Sequence, residues 1–356
     1  MAEKFSKFRD PGTGIQVFLA PVVAPSSSSS SVASILLPLF AVLGVVRAVV
    51  GGVCWGLYLG FRWKGFLRVV LFALGFVRLA VDEVSSSNKR QGVVASAVGV
   101  GGKGKGKVEL VLANHSSWID LLVLSYLYPG IQFIVPVIEE VTTGPSTSTP
   151  EGVKKRGTPK ANAMSANTRI VPPTTTTTTP TILGYTILTL PSALPFIGNL
   201  PPTRTLLPST TTIHPTLDSV LTTTPSPLAF FPELVTSNNR ALLHITSLPS
   251  HPPTTARCHL TTLKYSPPTQ TSITSVYTVA KPTGSILSHL AQILFLSSPV
   301  RGVSVKHTEV GMVEGEGWGE QVVGTMSNMA RLKQTSIDWW SKREFLTMVR
   351  ARSKRA

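Results

Sequence analysis

Residues 108–137 decide the fold, and they read VELVLANHSSWIDLLVLSYLYPGIQFIVPV. The apolar run 108–113 is typical of a short buried strand. Polar residues with helix-capping side chains follow, and a second apolar run extends from Trp118 to just before Pro129, as expected of a helix. Residues 132–137 have the pattern of another strand. Strand, helix and strand within about 30 residues predict one βαβ unit, and therefore an α/β fold.

The composition narrows the class of protein. The chain has 356 residues, of which 42% are hydrophobic and only 14% are charged, whereas soluble domains average about 25% charged residues. Such a chain is neither a simple cytosolic globule nor fully disordered. Its net charge of +16 favours an anionic partner, either nucleic acid or an anionic membrane surface. Cys54 and Cys258 are the two cysteines; they predict neither a disulfide framework nor a metal site.

An apolar run at residues 32–61 is interrupted only by Arg47. Since about 20 apolar residues span a bilayer as a helix, the run predicts membrane insertion rather than a buried core helix. A charge in hydrocarbon is costly, which favours a hairpin broken at Pro38 or Gly51-Gly52, with a single tilted span as the alternative. The shorter apolar run after Arg68, flanked by basic and aromatic residues, predicts an interfacial helix whose basic side faces the cytosol.

Shifts in composition divide the chain into five predicted parts. They are a polar N-terminal segment (1–31), membrane-embedded and interfacial helices (32–81), a polar linker (82–107), the α/β domain (108–310) with a low-complexity insert at about 141–225, and a basic C-terminal helix (311–356). Within the insert, residues 182–188 have the composition of a strand. In the C-terminal part, apolar residues repeat near helical spacing at Ile337, Trp340, Phe345 and Met348. The cations there predict an electrostatic membrane anchor, with a solvated helix face as the alternative.

His115 and Asp120 are the candidate catalytic pair. Five residues of ideal helix turn by about 500°, so the two side chains would not share one helix face. The pair works only if His115 lies in the strand-to-helix turn and Asp120 in the first helical turn. A carboxylate beside one imidazole nitrogen then fixes the tautomer, and the other nitrogen is free to take a proton from a hydroxyl group. The alternative is a capping turn with an incidental histidine.

Two blocks carry a resemblance to a known family. NHSSWID (114–120) resembles the first signature of the glycerolipid acyltransferases, which include the lysophosphatidate (1-acylglycerol-3-phosphate) acyltransferases: Asn-His, four residues, then Asp, between a strand and a helix. FPELVTSN (231–238) resembles the Phe-Pro-Glu-Gly-Thr-(Arg or Thr)-Ser block of that family. The weaker block LKYSPP (263–268) and the N-terminal EKFSKFRDPGTGI (3–15) are similar to its fungal branch.

The resemblance covers residues 110–140 and 226–306, approximately. The region between them is either divergent or the product of an incorrect gene model. Leu234 and Val235 replace a glycine and a threonine of the family block. A glycine at position 234 would let the backbone approach a phosphate closely, so the leucine side chain is expected to leave less space for the phosphate. The family also has a Gly-rich segment that ends in a phosphate-binding arginine. Residues 198–204 (GNLPPTR) are the only candidate for it, and a poor one.

The resemblance implies an O-acyltransferase that moves an acyl chain from acyl-CoA to a lysophospholipid, above all lysophosphatidic acid, in phospholipid synthesis or remodelling. His115 would be the general base on the glycerol hydroxyl, and Asp120 would orient it. No metal and no cofactor beyond the co-substrate acyl-CoA is expected. The residues expected to bind the substrate and its head-group phosphate are Asn114, Glu233, Thr236, Ser237 and Arg240.

The fold that the resemblance implies is a membrane-anchored α/β acyltransferase-like domain with N-terminal membrane helices and a mixed sheet flanked by helices. The expected location is the endoplasmic reticulum membrane, or the lipid droplet if the apolar run is a hairpin, with the active site facing the cytosol. Membrane lipids are expected partners and nucleic acid is not, since no binding motif for it occurs; the oligomeric state stays open. The alternative, motivated by Leu234, Val235 and the unplaced arginine, is a catalytically degenerate lipid-binding or scaffold protein.

Overall fold

The computed structural model of the chain describes residues 2–23, 30–84, 90–94, 108–139, 180–253, 255–280, 286–310 and 317–353. Its α-helices are α1 (Ser30–Phe61), α2 (Lys64–Ala73), α3 (Trp118–Leu127), α4 (Leu190–Ala193), α5 (Leu217–Leu221), α6 (Ile286–Phe295), α7 (Trp318–Ala330) and α8 (Ser341–Ser353). Its strands are β1 (Arg78–Val84), β2 (Arg90–Val94), β3 (Val108–Ala113), β4 (Gln132–Ile138), β5 (Ile182–Leu188), β6 (Leu228–Phe230), β7 (Ala241–His244), β8 (Ala256–Tyr265), β9 (Gly302–Val310) and β10 (Lys333–Asp338).

Eight of these strands form one mixed sheet in the order β2-β1-β9-β8-β3-β6-β4-β5. Strand β3 is parallel to both neighbours, β8 and β6, whereas β9 is antiparallel to β8 and β5 is antiparallel to β4. The two remaining strands, β7 and β10, form a separate parallel pair. The mixed sheet flanked by helices that the sequence predicted is therefore confirmed.

The predicted βαβ unit is present as β3, α3 and β4, and β6 lies between the two strands. Both faces of β3 are covered from Leu110 to Ala113, which explains why these four residues are all apolar. Val111 and Ala113 pack in the core cluster that contains residues of α2, α3 and α6. Leu110 and Leu112 pack in the cluster on the other face, with residues of α7 and α8. The carboxyl end of β3 is thus held rigidly on both sides.

Helix α1 is continuous, so the predicted hairpin break at Pro38 or Gly51-Gly52 is wrong. The chain turns instead at Arg62, which has a φ of 55°, and α2 then packs against α1. The physical reason is the placement of Arg47, which faces the protein and is only 7% exposed. Its Nε donates to the carbonyl of Ala73 at 2.6 Å, and its Nη1 to that of Leu294 at 3.1 Å. Carbonyls at the ends of α2 and α6 therefore solvate the charge.

The two faces of α1 differ sharply. Its inner face approaches α6 so closely that a Cβ on Gly44 would lie 2.7 Å from the carbonyl oxygen of Leu294. Its outer face leaves Val42, Val49 and Val53 more than half exposed. Residues Pro38–Phe61, 24 in number, make this the one helix in the described part of the chain that is long and apolar enough to cross a membrane.

The N-terminal segment packs against the C-terminal elements through a few buried residues. Phe8 and Phe18 are buried against Phe345 of α8, with ring centroids 5.3 and 5.5 Å from it. The Asp10 carboxylate accepts a hydrogen bond from the backbone N–H of Ser336 at 2.9 Å. These contacts attach the start of the chain to its C-terminal elements.

The C-terminal part is more than the predicted basic helix, because α7 and β10 precede α8. Ile337 lies in β10 and Met348 is 41% exposed, so the predicted apolar repeat is not one helix face. The buried face of α8 starts at Lys342 and continues with Phe345 and Leu346.

The predicted insert and linker are described only in part. Residues 180–225 contain β5, α4 and α5, and the predicted strand at 182–188 is confirmed as β5. Residues 141–179 lie outside the described residues. Of the predicted linker, residues 82–84 and 90–94 are described, and they lie in β1 and β2.

Candidate active site

The turn between β3 and α3 positions His115, and Asn114 fixes the start of that turn. The Asn114 side chain pairs with the main chain of Leu263 like one more rung of the sheet: Nδ2 donates to its carbonyl at 3.0 Å, and Oδ1 accepts from its N–H at 2.7 Å. These two bonds continue the pairing of β3 with β8 beyond the last backbone rung. The Asn114 side chain is therefore committed to the sheet, and a role in substrate binding stays a prediction.

Asp120 caps helix α3 and contacts His115 with the same carboxylate. Its Oδ2 accepts from the backbone N–H groups of Ser116 at 2.6 Å and Ser117 at 2.8 Å, and lies 3.2 Å from Nδ1 of His115. Its Oδ1 accepts from the hydroxyl of Tyr265 at 2.6 Å. The predicted placement of the pair, His115 in the turn and Asp120 in the first helical turn, is confirmed. The capping turn and the His–Asp pair are one structure, not two alternatives.

The contact with Asp120 sets the tautomer of His115. An ionised carboxylate only accepts, so Nδ1 carries the proton and Nε2 is left with its lone pair. His115 is 5% exposed; burial lowers its pKa, and the hydrogen bond to Asp120 opposes that shift. The ring stacks on Phe231, with centroids 4.1 Å apart. The result is a neutral, oriented imidazole that is able to accept a proton.

Glu233 holds the main chain of His115 rather than facing open space. Its Oε2 accepts from the N–H of His115 at 2.8 Å, and its Oε1 from the N–H of Leu243 at 3.1 Å. Burial raises the pKa of Glu233 to about 7, while these two N–H donors lower it. Ser237 adds a backbone bond to the His115 carbonyl at 2.8 Å. The second sequence block therefore holds the main chain of the first in place. A role of Glu233 or Ser237 in binding the head group stays a prediction.

Thr236 and Lys342 form a contact that the sequence did not reveal. Lys342, fully buried in α8, donates from Nζ to Oγ1 of Thr236 at 2.7 Å and to its carbonyl at 3.0 Å. Burial lowers the pKa of Lys342 to about 7, and the charge of Glu233 opposes the shift. The sequence did contain a signal for the burial of Lys342, because helical spacing places it on the same face as Phe345 and Leu346. Arg240, by contrast, is exposed.

A cavity of about 40 Å³ lies beside His115. Apolar side chains, among them Phe133, Ile197 and Phe231, form most of its wall, and Thr236 supplies a hydroxyl group. Gly198 also lines it, whereas Arg204 is exposed and donates to the Thr211 carbonyl at 2.7 Å. The segment 198–204 thus brings a glycine to the site but not its arginine.

Leu234 lines the same cavity in an unusual backbone conformation. Its φ is 59°, in the left-handed region where a side chain bearing Cβ is disfavoured. The chain thus keeps the backbone that a glycine adopts easily at the position where the sequence departs from the family block. Asn239 has a φ of 60° in the same loop, but asparagine tolerates that region.

The site is a histidine–carboxylate pair at the carboxyl edge of a mixed α/β sheet. One of three comparisons with known proteins found a similar protein. Over 140 residues, the chain is 29% identical to a Schizosaccharomyces pombe protein named "Putative lysophosphatidic acid:oleoyl-CoA acyltransferase". The aligned part is 35% of this chain and 42% of that protein. No protein-family model and no solved structure matches the chain. The similarity supports a transferase of the acyltransferase kind.

Proposed function

We propose that the protein transfers an acyl chain from acyl-CoA to the hydroxyl group of a lysophospholipid, with lysophosphatidic acid as the acceptor. The observation that carries the proposal is the 3.2 Å contact between His115 Nδ1 and Asp120, on an imidazole that lines a cavity. The S. pombe protein is named for this acceptor and for oleoyl-CoA, which supports the choice of substrates.

The reaction needs one base and no covalent enzyme intermediate. Nε2 of His115 takes the proton of the acceptor hydroxyl as its oxygen attacks the thioester carbonyl. The new C–O bond forms, the C–S bond breaks, and the CoA thiolate leaves with the proton that the imidazolium returns. Asp120 stabilises the imidazolium between these two transfers. Such base assistance contributes about 10²–10⁴-fold to the rate.

Lys342 supports an anionic acceptor. It donates to the hydroxyl group of Thr236, a residue that lines the cavity. Lys342 forms no ion pair with the described residues. A buried charge attracts a nearby anion strongly because little water screens it. In this proposal Lys342 supplies the charge that the unplaced arginine of the family block would supply.

The proposal places the outward face of α1 at a membrane. Exposed apolar side chains at Trp63, Phe72 and Leu287, on or beside α2 and α6, add to that face. Acyl-CoA and lysophospholipid both keep their acyl chains at such a surface. The endoplasmic reticulum, the lipid droplet and the cytosolic orientation of the site stay predictions from the resemblance.

The test is the release of CoA thiol by the purified full-length protein given oleoyl-CoA and lysophosphatidic acid in neutral detergent. We expect release by the wild type and none above background by His115→Ala. His251→Ala, which changes an exposed loop histidine, is the matched control and should keep full activity. Activity in His115→Ala equal to that of the wild type would overturn the proposal.

A second candidate function is a catalytically degenerate lipid-binding protein. The observation that favours it is Leu234, whose side chain lines a cavity of only about 40 Å³ from a strained backbone position. In that case the wild type releases no CoA with any lysophospholipid, and Leu234→Gly, which removes the side chain from the cavity, restores release.

A further inference from the structure

Two buried guanidinium groups lie together without a counter-charge at the ends of α2 and α6. Arg301 is 5% exposed, and neither it nor Arg47 forms an ion pair within the described residues. Burial, together with the positive charge of Arg47, lowers the pKa of Arg301 to about 10. An unpaired buried charge is costly to a fold, so this arrangement calls for an anion.

The donors of Arg301 are only partly used. Its Nη1 donates to the carbonyl of Ile273 at 2.6 Å and to Oγ of Ser275 at 3.0 Å, and its Nη2 contacts Oγ of Ser297. Its Nε is buried and has no hydrogen-bond partner among the described residues. The guanidinium thus keeps donor capacity beyond what the fold itself satisfies.

Arg301 lines a cavity of about 580 Å³. Six of its lining residues carry hydroxyl groups, namely Ser266, Thr269, Thr271, Ser272, Ser275 and Ser298. Arg78 stands exposed in the same wall, and none of the lining residues is acidic. The cavity shares no lining residue with the one beside His115, so it is a separate site.

The mouth of this cavity is apolar and basic. Val77 and Val300 line it and are 38% and 65% exposed. Arg68, next to it on α2, donates to the carbonyls of Phe76 and Val77 at 2.8 and 2.6 Å. Arginine forks and hydroxyl groups are the donors that bind phosphate oxygens, and an apolar rim suits the glycerol and acyl parts of a lipid.

We infer that this cavity is a second, non-catalytic site that binds the phosphate group of an anionic phospholipid. The phosphate supplies the counter-charge for Arg301, which lines the cavity, and accepts from the surrounding hydroxyl groups. Free inorganic phosphate has the same chemistry, so the experiment compares the two sources.

The test is calorimetric titration of the full-length protein in neutral maltoside detergent with dihexanoylphosphatidylglycerol, which is not a lysophospholipid. We expect saturable binding, and none of dihexanoylglycerol, which lacks the phosphate. Arg301→Gln should weaken binding at least about tenfold, since it removes a charge-assisted contact. Arg78→Gln, at an exposed position, should weaken it about two- to fivefold. Lys333→Gln, which removes an exposed charge on β10, is the matched control and should change nothing.

Ser275→Ala keeps the test decisive if Arg301→Gln fails to fold, because it removes one lining hydroxyl and leaves the charge in place. Phosphatidylglycerol affinity that is unchanged in the variants at both Ser275 and Arg78 would overturn the site. Inorganic phosphate that binds as tightly as the lipid, and loses affinity in Arg301→Gln, would overturn the lipid as occupant and assign the free ion. The catalytic assay with lysophosphatidic acid is independent of either outcome.

Discussion

Two histidine centres in the described part of the chain lie on one sheet, and α3 or the residue that follows it contacts each of them. At its amino end, Asp120 orients His115. Just beyond its carboxyl end, the hydroxyl of Tyr128 lies 2.8 Å from Nδ1 of His307. The ring of His307 stacks on His259 at 5.2 Å, and the ring nitrogens of His259 are buried without a hydrogen-bond partner among the described residues.

Burial alone does not make a base, as the two centres show together. Burial lowers the pKa of His307 to about 4, and it lowers the pKa values of His115 and His259 as well. Of the three, only His115 contacts a carboxylate that stabilises its imidazolium, and it also lines a cavity. The carboxylate and the cavity, not the burial of the imidazole, distinguish the candidate catalytic histidine from the other two.

The largest expected effect comes from Asp120→Asn. The amide oxygen can take the place of Oδ2 and keep the contacts with the backbone N–H groups and with His115. The uncharged amide no longer stabilises the imidazolium, so CoA release should fall about 10²–10⁴-fold. Stability should also fall, by about 1 kcal/mol, because the amide nitrogen replaces Oδ1, the acceptor for the Tyr265 hydroxyl. The matched change in the other centre, Tyr128→Phe, should cost about 1 kcal/mol and leave CoA release intact. If Tyr128→Phe lost as much activity as Asp120→Asn, the claim that only the His115 centre is catalytic would be wrong.

Lys342→Met tests the buried positive charge beside the His115 centre. The KM for lysophosphatidic acid should rise about tenfold, with the KM for oleoyl-CoA unchanged. With a pKa of about 7, Lys342 is neutral at high pH, so the wild-type KM for lysophosphatidic acid should rise between pH 7 and 9. The methionine variant should show no such rise. Arg343→Gln, on the next residue of α8, is the control for a general charge effect.

His259→Phe tests the packing centre by its acid sensitivity. Burial lowers the pKa of His259 in the folded chain below its usual value of 6.5, so protonation favours the unfolded chain. The stability is therefore present above pH 6.5 and is lost below it, by up to about 1.4 kcal/mol per pH unit for one histidine. Phenylalanine cannot titrate, so the loss between pH 7.5 and 5 in denaturant titrations should shrink.

His251→Phe is the matched control for this change, because His251 is exposed, and its acid sensitivity should equal that of the wild type. Charges near His259 act on its pKa in both directions: Glu109 and Glu309 raise it, and Arg257 lowers it. An unchanged loss of stability in His259→Phe would show that these charges, rather than burial, control its protonation.

The smallest expected effect on stability is that of Leu234→Gly. Relief of the left-handed backbone is worth about 1–2 kcal/mol, which nearly offsets the loss of a buried leucine, about 1.5–3 kcal/mol. The informative measurement is kinetic: the KM for lysophosphatidic acid should fall while that for acyl-CoA stays constant. Asn239→Gly, with the same φ but hydrogen bonds to Ser116 and Leu263, should lower stability more and leave the KM values unchanged.

Local patterns predicted much of this molecule and distant contacts little of it. The turn holding His115 and Asp120 was predictable because strand periodicity and helix capping act over a few residues. Glu233 was found by resemblance, but not its bond to the His115 main chain, which joins residues 118 positions apart. Lys342 and Tyr265 reach the site only through tertiary packing. The predicted hairpin was wrong because the carbonyls that solvate Arg47 belong to α2 and α6, which are distant from it in the sequence.

The double use of the Asp120 carboxylate has a consequence for how such a site changes over generations. Asp120 caps α3 and binds Tyr265 whether or not any reaction occurs, so selection for folding alone keeps it. In the proposed reaction the ring of His115 transfers the proton, while its main chain makes the bonds to Glu233 and Ser237. A descendant that no longer needed the reaction would drift first at the His115 side chain and retain the aspartate. Among relatives of this chain, the histidine is therefore the better marker of retained activity.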